Sequence, residues 1–365
     1  MSTESVRSVR VVGAGGFVPR RVVSNERLAR AIPGWTPERI VQRTGIEERR
    51  YLWDFDEVAG KAIPPPADDA TWPRGNVDMA EAALVQALER AGVRASELDA
   101  IFLVTSTPDE VNFSRDAVEL HRRVGAPPHA LAIVVDSGCG GAVYVADLAR
   151  KMILSGAART VAICASTLAS PYLDRDIFTK EMPGRKGINA FLSFYLFGDG
   201  SGAVLLRGDA APDVGILAST SGTDHAELVV HRGGGAKLPP HTRAQLEDHA
   251  WYVDGRQVAA AYPAFMQKAV SECVGQRPEL AGEIGRYYLH QASKRTLMSF
   301  VDRAGLPKER VPVNVNRYGN TSAASTLLLF SEDLAEGRVK LGSGELVLFA
   351  AVGAGVHYGA HLVRL

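Results

Sequence analysis

Cysteine, long apolar runs and net charge are what this 365-residue chain has least of. Its three cysteines, Cys139, Cys164 and Cys273, are odd in number and show no CxxC spacing, so the sequence predicts neither a disulfide framework nor a metal site of the zinc type. No window approaches the roughly 18 consecutive apolar residues of a membrane helix. Lysine plus arginine equals aspartate plus glutamate at 41 each, which removes the general electrostatic argument for a nucleic-acid or membrane partner.

The composition is that of a folded protein. Hydrophobic residues make up 46% of the chain and charged residues 22%, enough to bury one large core or two ordinary ones. The first residues, MSTESVRSVRVVGAGG, contain neither an apolar signal core nor an amphipathic presequence. We therefore expect a soluble cytoplasmic protein.

The two halves of the chain follow the same order of predicted elements. In each half an amphipathic helix precedes a buried strand, a second helix, another strand, a small-residue junction that opens a long helix, and one more strand. These segments are 79–92, 99–107, 114–126, 130–136, 137–154 and 160–166 in the first half, and 258–274, 285–293, 293–306, 311–315, 317–336 and 345–355 in the second. Each half closes with a glycine-punctuated strand pair. This order predicts an α/β fold of two duplicated halves, 1–208 and 209–365, whose sheets pack in layers.

One cysteine lies at a junction between a predicted strand and a predicted helix. Cys139 is in SGCGGA, Asn320 is at the equivalent junction RYGNTSAAS of the second half, and His290 follows a predicted strand. Because active sites of open α/β sheets gather at the carboxyl ends of strands, we expect these three residues to converge. A helix N-terminus lowers the pKa of a thiol, so Cys139 is predicted to be a nucleophile with a lowered pKa.

Each of these residues, taken alone, has an ordinary structural explanation. An isolated cysteine is usually a small core side chain, as we expect Cys164 and Cys273 to be. His290 would more often be a structural histidine, and Asn320 a turn or cap residue. The joint pattern of the three residues favours a functional site.

Several segments, in the same order, resemble the ketoacyl synthase III type of condensing enzyme in the thiolase superfamily. They are VQRTGIEERR (41–50), SGCGGA (137–142), GDGSGAVLL (198–206), HQAS (290–293), NRYGNTSAAS (316–325) and the terminal GAGVHYGAHLVRL. The resemblance runs from about residue 9 to residue 365. It implies a thiolase-like, five-layered αβαβα fold, a homodimer, and a catalytic triad of Cys139, His290 and Asn320.

The resemblance also implies a reaction. Cys139 would attack an acyl thioester, with the oxyanion held by the backbone N–H groups of Cys139 and Ala354. His290 and Asn320 would then donate hydrogen bonds to a malonyl-type thioester, whose decarboxylation gives the enolate that attacks the acyl group. The partners implied are acyl-CoA or acyl carrier protein thioesters. No metal or redox cofactor is expected, since the pantetheine arm of coenzyme A or of the carrier delivers both substrates.

The sequence departs from the family at several positions. Arg39 stands where members of primary metabolism have a tryptophan, four residues before Arg43 of RTGI, and Ser293 replaces the asparagine after HQA. By resemblance Arg295 lies on a carrier-docking helix, near Lys294 and Arg303. The predicted substrate or carrier contacts are therefore Arg39, Arg43, Ser293 and Arg295. Segments 54–75 and 170–195 are enlarged, and because loops carry specificity they suggest a specialised enzyme of secondary metabolism.

Two other functions remain open at this point. One is acyl transfer from Cys139 to a hydroxyl or amine acceptor without carbon–carbon bond formation, which has less use for Asn320. The other is a noncatalytic partner subunit of another synthase, which would be expected to lose the nucleophile.

Overall fold

A computed structural model describes residues 6–66, 73–111, 113–182, 184–186, 188, 190–231, 233–239, 241 and 245–365. The strands in these residues are β1 Ser8–Phe17, β2 Val22–Ser24, β3 Glu48–Arg50, β4 Asp54–Asp56, β5 Lys61–Ile63, β6 Ala100–Val104, β7 Leu131–Val135, β8 Thr160–Thr167, β9 Gly200–Asp209, β10 Gly215–Ala226, β11 Val229–Val230, β12 Tyr252–Val253, β13 Ile284–Leu289, β14 Leu346–Gly353 and β15 Gly355–Arg364. The α-helices are α1 Asn25–Ala31, α2 Pro37–Thr44, α3 Asn76–Ala91, α4 Asp116–Val124, α5 Gly141–Leu154, α6 Arg175–Phe178, α7 Phe191–Leu196, α8 Gly255–Val274, α9 Lys294–Ala304, α10 Val315–Tyr318 and α11 Ser325–Ala335.

Two mixed sheets carry the fold. The first has the strand order β1-β9-β8-β6-β7 and the second the order β10-β15-β14-β13. In both sheets the neighbours that follow helical crossovers are parallel, and the glycine-rich strand that closes each half is antiparallel to its neighbours. Strands β1, β6, β8 and β9 therefore correspond to β10, β13, β14 and β15, so the two sheets follow one strand plan. The predicted division at residues 208 and 209 falls at the end of β9.

The helices complete five layers. Helices α3 and α4 cover the outer face of the first sheet, and α8 and α9 cover the outer face of the second. Between the sheets lie α5 and α11, whose side chains form the largest apolar cluster. Because both faces of these two helices are covered, α11 is buried on nearly all sides, and its polar residues Ser325, Thr326, Ser331 and Asp333 are buried as well. The predicted αβαβα architecture is thus confirmed.

The predicted strand at 311–315 is wrong. Residues 311–314 form no strand, and α10 begins at Val315. Pro312 has no N–H to donate to a ladder, and the N–H groups of Asn314 and Val315 donate instead to the Gln291 side-chain oxygen, at 3.2 and 3.4 Å. The second sheet therefore lacks a counterpart of β7 at this edge, and the Gln291 side chain, just after β13, accepts the N–H groups of this segment instead.

The two enlarged segments pack together in a separate apolar cluster over one end of the sheets. Residues 54–63 form the hairpin β4–β5, while residues 67–72 of this segment, and residues 183, 187 and 189 of the second, lie outside the described residues. Asp199 of GDGSG anchors this cover. Its carboxylate accepts hydrogen bonds from the N–H groups of Leu52 (2.7 Å), Ala169 (2.7 Å) and Ser170 (3.0 Å). Within the described residues, no helix has the length and apolar character that crossing a membrane requires.

Candidate active site

A cavity of about 1250 Å³ opens at the carboxyl ends of the parallel strands. It is lined by every residue that the sequence predicted for the site: Arg39, Arg43, Cys139, His290, Ser293, Arg295, Asn320 and Ala354. The tertiary fold therefore brings the proposed triad and the proposed substrate contacts into one space.

Cys139 lies in a short 3₁₀ turn, Gly138–Gly140, that leads directly into α5. The turn packs against the β14–β15 connection so closely that a Cβ atom at Gly138 would lie 2.9 Å from the backbone nitrogen of Ala354. Gly138 also has a φ of 56°, which a side chain would disfavour. A Cβ at Gly353 would lie 2.8 Å from the backbone nitrogen of Cys139. The glycines thus allow the two backbone N–H groups of the predicted oxyanion site to approach each other.

The Asn320 side chain is held in one orientation. Its Oδ1 accepts a hydrogen bond from the N–H of Ser322 at 2.8 Å, and its backbone N–H donates to the Leu196 carbonyl at 2.9 Å. The amide nitrogen of the side chain is therefore left to face Cys139, and the Asn320 side chain acts to lower the pKa of that thiol. Asn320 follows α10 and precedes the 3₁₀ turn Ser322–Ala324 that opens α11, the equivalent of the Cys139 turn, as predicted.

His290 follows the last residue of β13. Its backbone N–H donates to the Ala350 carbonyl at 2.9 Å, its Nδ1 lies 2.8 Å from Ser325 Oγ, and the Tyr262 hydroxyl donates to its carbonyl at 2.6 Å. Burial lowers the pKa of His290 to about 3, against a smaller opposing effect of a hydrogen bond to the Ser322 backbone. The imidazole is therefore neutral at physiological pH.

The pKa of Cys139 differs from the expectation of a lowered value. Burial raises the pKa of the thiol, and this outweighs the hydrogen bonds from Ser322, from its own backbone N–H and from Asn320, which lower it. The Ser322 hydroxyl donates to Cys139 Sγ at 3.3 Å. The predicted position at a helix N-terminus is thus correct, but the predicted direction of the pKa shift is wrong, because burial has the larger effect.

The mouth of the cavity is formed by α2 and α9. Arg39 and Arg43 lie on α2, and Arg295 of α9 donates from Nη1 to the Gln42 carbonyl at 3.2 Å, which joins the two helices. Ser293 lines the cavity, and its Oγ accepts from the Thr296 N–H at 3.1 Å as the N-cap of α9. Of the basic residues predicted near Arg295, neither Lys294 nor Arg303 is among the described lining residues.

Some lining or contacting residues were not found from the sequence, among them Trp35, Lys186, Arg256, Tyr262 and Ser322. The Arg39 guanidinium lies 4.2 Å from the centre of the Trp35 ring. A tryptophan is therefore present at the mouth, in the loop before α2 and four residues before the position at which the family pattern places it. Among the described residues, no group of three or more His, Cys, Asp or Glu side chains could hold a metal ion.

Comparison with known proteins places this geometry in a family. Residues 135–225 match the family described as 3-oxoacyl-[acyl-carrier-protein] synthase III, and residues 279–365 match its C-terminal part. A β-ketoacyl-[acyl-carrier-protein] synthase III from Rhodospirillum centenum is 34% identical over 364 residues, which cover 98% of this chain and 99% of the relative. The chain belongs to the β-ketoacyl-[acyl-carrier-protein] synthase III family.

Solved structures of β-ketoacyl synthase III enzymes have the same fold. The enzyme from Thermus thermophilus gives a TM-score of 0.79 at 28% identity, covering 98% of this chain and 99% of that chain. The enzyme from Pseudomonas aeruginosa gives a TM-score of 0.78 at 27% identity, covering 98% of each chain. The resemblance stated from sequence motifs, the thiolase-like fold and the acyltransferase class are therefore confirmed.

Proposed function

We propose that this β-ketoacyl synthase III carries out a decarboxylative condensation of two thioesters, with Cys139, His290 and Asn320 as its catalytic residues. The observation that supports this most strongly is the convergence of the three side chains on one cavity, with Asn320 oriented as a donor beside the sulfur.

In the first half-reaction Cys139 Sγ attacks the carbonyl carbon of an acyl thioester. The carbon–sulfur bond to the pantetheine thiol breaks, that thiol leaves with the proton of Cys139, and the acyl group remains as a new thioester on the enzyme. The backbone N–H groups of Cys139 and Ala354 stabilise the oxyanion as it forms, and one such donor contributes about 3 kcal/mol. A thiol with a raised pKa is compatible with this step because the hydroxyl of Ser322 and the amide of Asn320 stabilise negative charge on sulfur.

In the second half-reaction a malonyl-type thioester loses CO₂, and the electron pair of the broken carbon–carbon bond becomes an enolate. A neutral His290 and the Asn320 amide act as hydrogen-bond donors to the thioester oxygen on which that charge develops. The enolate carbon attacks the acyl carbonyl on Cys139, a carbon–carbon bond forms, and the cysteine sulfur leaves and takes up a proton. No electrons are gained or lost, so we propose that the pantetheine-borne substrates suffice without a redox or metal cofactor.

The orientation of Asn320 favours condensation over the two alternatives. Simple transfer to a hydroxyl or amine uses Cys139 and a base such as His290 but has less use for an oriented amide donor, since an amide nitrogen cannot accept the proton of the acceptor. A noncatalytic subunit would have no need for a cysteine whose sulfur accepts a hydrogen bond from Ser322 and lies beside an oriented amide donor.

We further propose that an acidic carrier protein delivers at least one of the two substrates, and that coenzyme A thioesters are the alternative donors. Among the described residues, five cationic side chains line the cavity: Arg39, Arg43, Lys186, Arg256 and Arg295. Such a concentration of one sign of charge at a cavity mouth steers anionic partners such as the phosphate of a pantetheine arm. The Arg39 guanidinium, which stacks on the Trp35 ring at 4.2 Å at the same mouth, provides a planar surface on which the adenine of coenzyme A can stack.

A homodimer is proposed from the edge of the first sheet. In the described structure β7 is the last strand of that sheet, and its Leu131 and Ile133 side chains are 50% and 38% exposed, beside Val118 of α4 at 52%. An apolar edge strand pairs readily with its own copy about a two-fold axis. The three free cysteines fit a reducing cytoplasm, which we propose as the location.

The test of the proposed function is intact-protein mass spectrometry with a panel of acyl thioesters, followed by addition of malonyl thioesters on coenzyme A and on carrier proteins. We expect an acyl adduct on Cys139 that disappears when the malonyl thioester is added, with release of CO₂ and a β-ketoacyl product. The Cys139→Ala variant should stay folded and form no adduct, and an adduct in that variant would refute the assignment. Discharge of the adduct to an alcohol or amine without loss of CO₂ would instead support the transferase.

A further inference from the structure

Gln291 lies directly after His290 and has no role in the reaction proposed above. It is fully buried, and it is not among the described lining residues of the Cys139 cavity, so it does not face the substrate. A buried side-chain amide requires hydrogen-bond partners for both its oxygen and its nitrogen. The position of these partners indicates what the side chain does.

The Gln291 side chain holds the segment that leads into α10. Its Oε1 accepts hydrogen bonds from the N–H groups of Asn314 and Val315, at 3.2 and 3.4 Å. Its Nε2 donates to the Leu289 carbonyl at 2.9 Å and to the Pro312 carbonyl at 3.5 Å. Because residues 311–314 form no strand, this amide satisfies backbone groups that a ladder would otherwise pair. It thereby ties the start of α10 to the end of β13.

The backbone of Gln291 holds the other side of the same region. Its N–H donates to Oγ of Ser325, the first residue of α11, at 3.3 Å, and that oxygen lies 2.8 Å from His290 Nδ1. Asn320 lies between the end of α10 and the start of α11. The elements before and after Asn320 are therefore both hydrogen bonded to the residue that follows His290.

The nucleophile is held by other contacts. Within the residues that the structure describes, Gln291 makes no hydrogen bond to the Cys139 turn, which packs against the β14–β15 connection. Loss of the Gln291 side-chain bonds would accordingly displace Asn320 relative to His290 and leave the oxyanion site in place.

We propose that Gln291 is a positioning residue that sets the distance between the His290 imidazole and the Asn320 amide, and through it the rate of decarboxylation. The proposal rests on the proposed function, in which both groups donate to one thioester oxygen. Two donors stabilise the charge that develops on this oxygen only if both reach it, and a displacement of about 1 Å can lower a rate by about a hundredfold.

The experiment measures acylation of Cys139 by intact-protein mass spectrometry and CO₂ release from a labelled malonyl thioester. Gln291→Met keeps the length of the side chain and removes its hydrogen bonds. We expect kcat for CO₂ release to fall by roughly tenfold to a hundredfold, while KM for the malonyl thioester and the rate of acylation change by less than about threefold, because the two donors act on charge that appears in the transition state. Gln86→Met is the matched control. Gln86 Oε1 also accepts a backbone N–H, that of Gly16 at 3.0 Å, but it is not among the described lining residues, so CO₂ release should be unchanged.

Gln291→Glu adds a pH readout that a general loss of stability would not give. While protonated, the introduced carboxyl keeps an acceptor for the Asn314 and Val315 N–H groups and a donor for the Leu289 carbonyl. Once ionised, it places a negative oxygen against that carbonyl. Since burial raises the pKa of a carboxyl, CO₂ release relative to the natural protein should fall as the pH rises from about 5.5 to about 8.5, with acylation falling far less.

The ratio of CO₂ release to acylation decides the outcome. A natural ratio in Gln291→Met, or in Gln291→Glu at every pH if Gln291→Met does not fold, would overturn the proposal, and so would equal losses in both half-reactions. These results differ from failure of the proposed function, in which the natural protein itself would release no CO₂ from the malonyl thioester and both proposals would fall.

Discussion

Asn320→Asp tests the condensation mechanism most directly. The structure fixes what the change does, because Oδ1 of Asn320 accepts from the Ser322 N–H at 2.8 Å and an aspartate oxygen keeps that bond. The second carboxylate oxygen then replaces the amide nitrogen beside Cys139. A neutral donor is therefore exchanged for a negative charge without a change in the size of the side chain.

The magnitude follows from two terms. Loss of one donor to a developing oxyanion costs about 3 kcal/mol, which is roughly a hundredfold in rate. Repulsion between the carboxylate and an enolate about 4 Å away adds up to ~4 kcal/mol at an effective dielectric constant near 20, reduced to the extent that the aspartate takes up a proton. We expect decarboxylation and condensation to fall by at least roughly a hundredfold, and more than in Asn320→Ala, which loses the donor but gains no charge.

The assay separates the two half-reactions. Acylation of Cys139 is followed by intact-protein mass spectrometry, and CO₂ release from a labelled malonyl thioester is followed in the same samples; acylation should fall far less than CO₂ release. The matched control is Asn316→Asp on α10, a half-buried asparagine that is not among the described lining residues of the cavity. It makes the same change of charge away from Cys139, so condensation should be unchanged. Equal losses in both half-reactions, or an unchanged condensation rate in Asn320→Asp, would refute the reasoning.

Three further predictions follow from the same site. Ser322→Ala removes a hydroxyl that stabilises the Cys139 thiolate, so the pKa of Cys139 should rise further. Because a hydrogen bond to a charged group is worth about 1.5 kcal/mol, the pH profile of Cys139 alkylation should move upward by about one unit; an unmoved profile would contradict the contact at 3.3 Å. Iodoacetamide at pH 8 should label Cys139 before Cys164 and Cys273, because the last two are fully buried and burial raises their pKa values to about 12, whereas Cys139 lines the open cavity. Peptide mapping that finds Cys164 or Cys273 labelled first would be inconsistent with the structure. Arg295→Glu should lower kcat/KM for an acyl group on an acidic carrier more than kcat/KM for the same acyl group on coenzyme A. Equal effects on the two donors would argue against carrier docking at α9.

Local patterns in the sequence were sufficient for much of the fold. The repeated order of helices and strands predicted both sheets and the buried helices α5 and α11, since a 3.6-residue or continuous apolar pattern is a property of neighbouring residues. The three residues Cys139, His290 and Asn320 were placed in one site by the same means, because each follows a strand or opens a helix. The strand predicted at 311–315 failed because the partner of its N–H groups is the Gln291 side chain, which no local pattern reveals.

The tertiary structure decided what depends on the surroundings of a residue. The helix N-terminus that favours a Cys139 thiolate is a local feature, but the burial that raises its pKa comes from tertiary packing, such as that of the β14–β15 connection against the Cys139 turn. The orientation of Asn320, fixed by Ser322, and the packing of Trp251 against Tyr172 and Phe197 are likewise invisible to periodicity and motif spacing. Sequence thus determined which chemistry is present, because residue type and local conformation set the reactive groups. Only the packed fold determined the protonation state of Cys139 and the space open to its acyl group, since solvation and cavity shape arise from residues far apart in the chain.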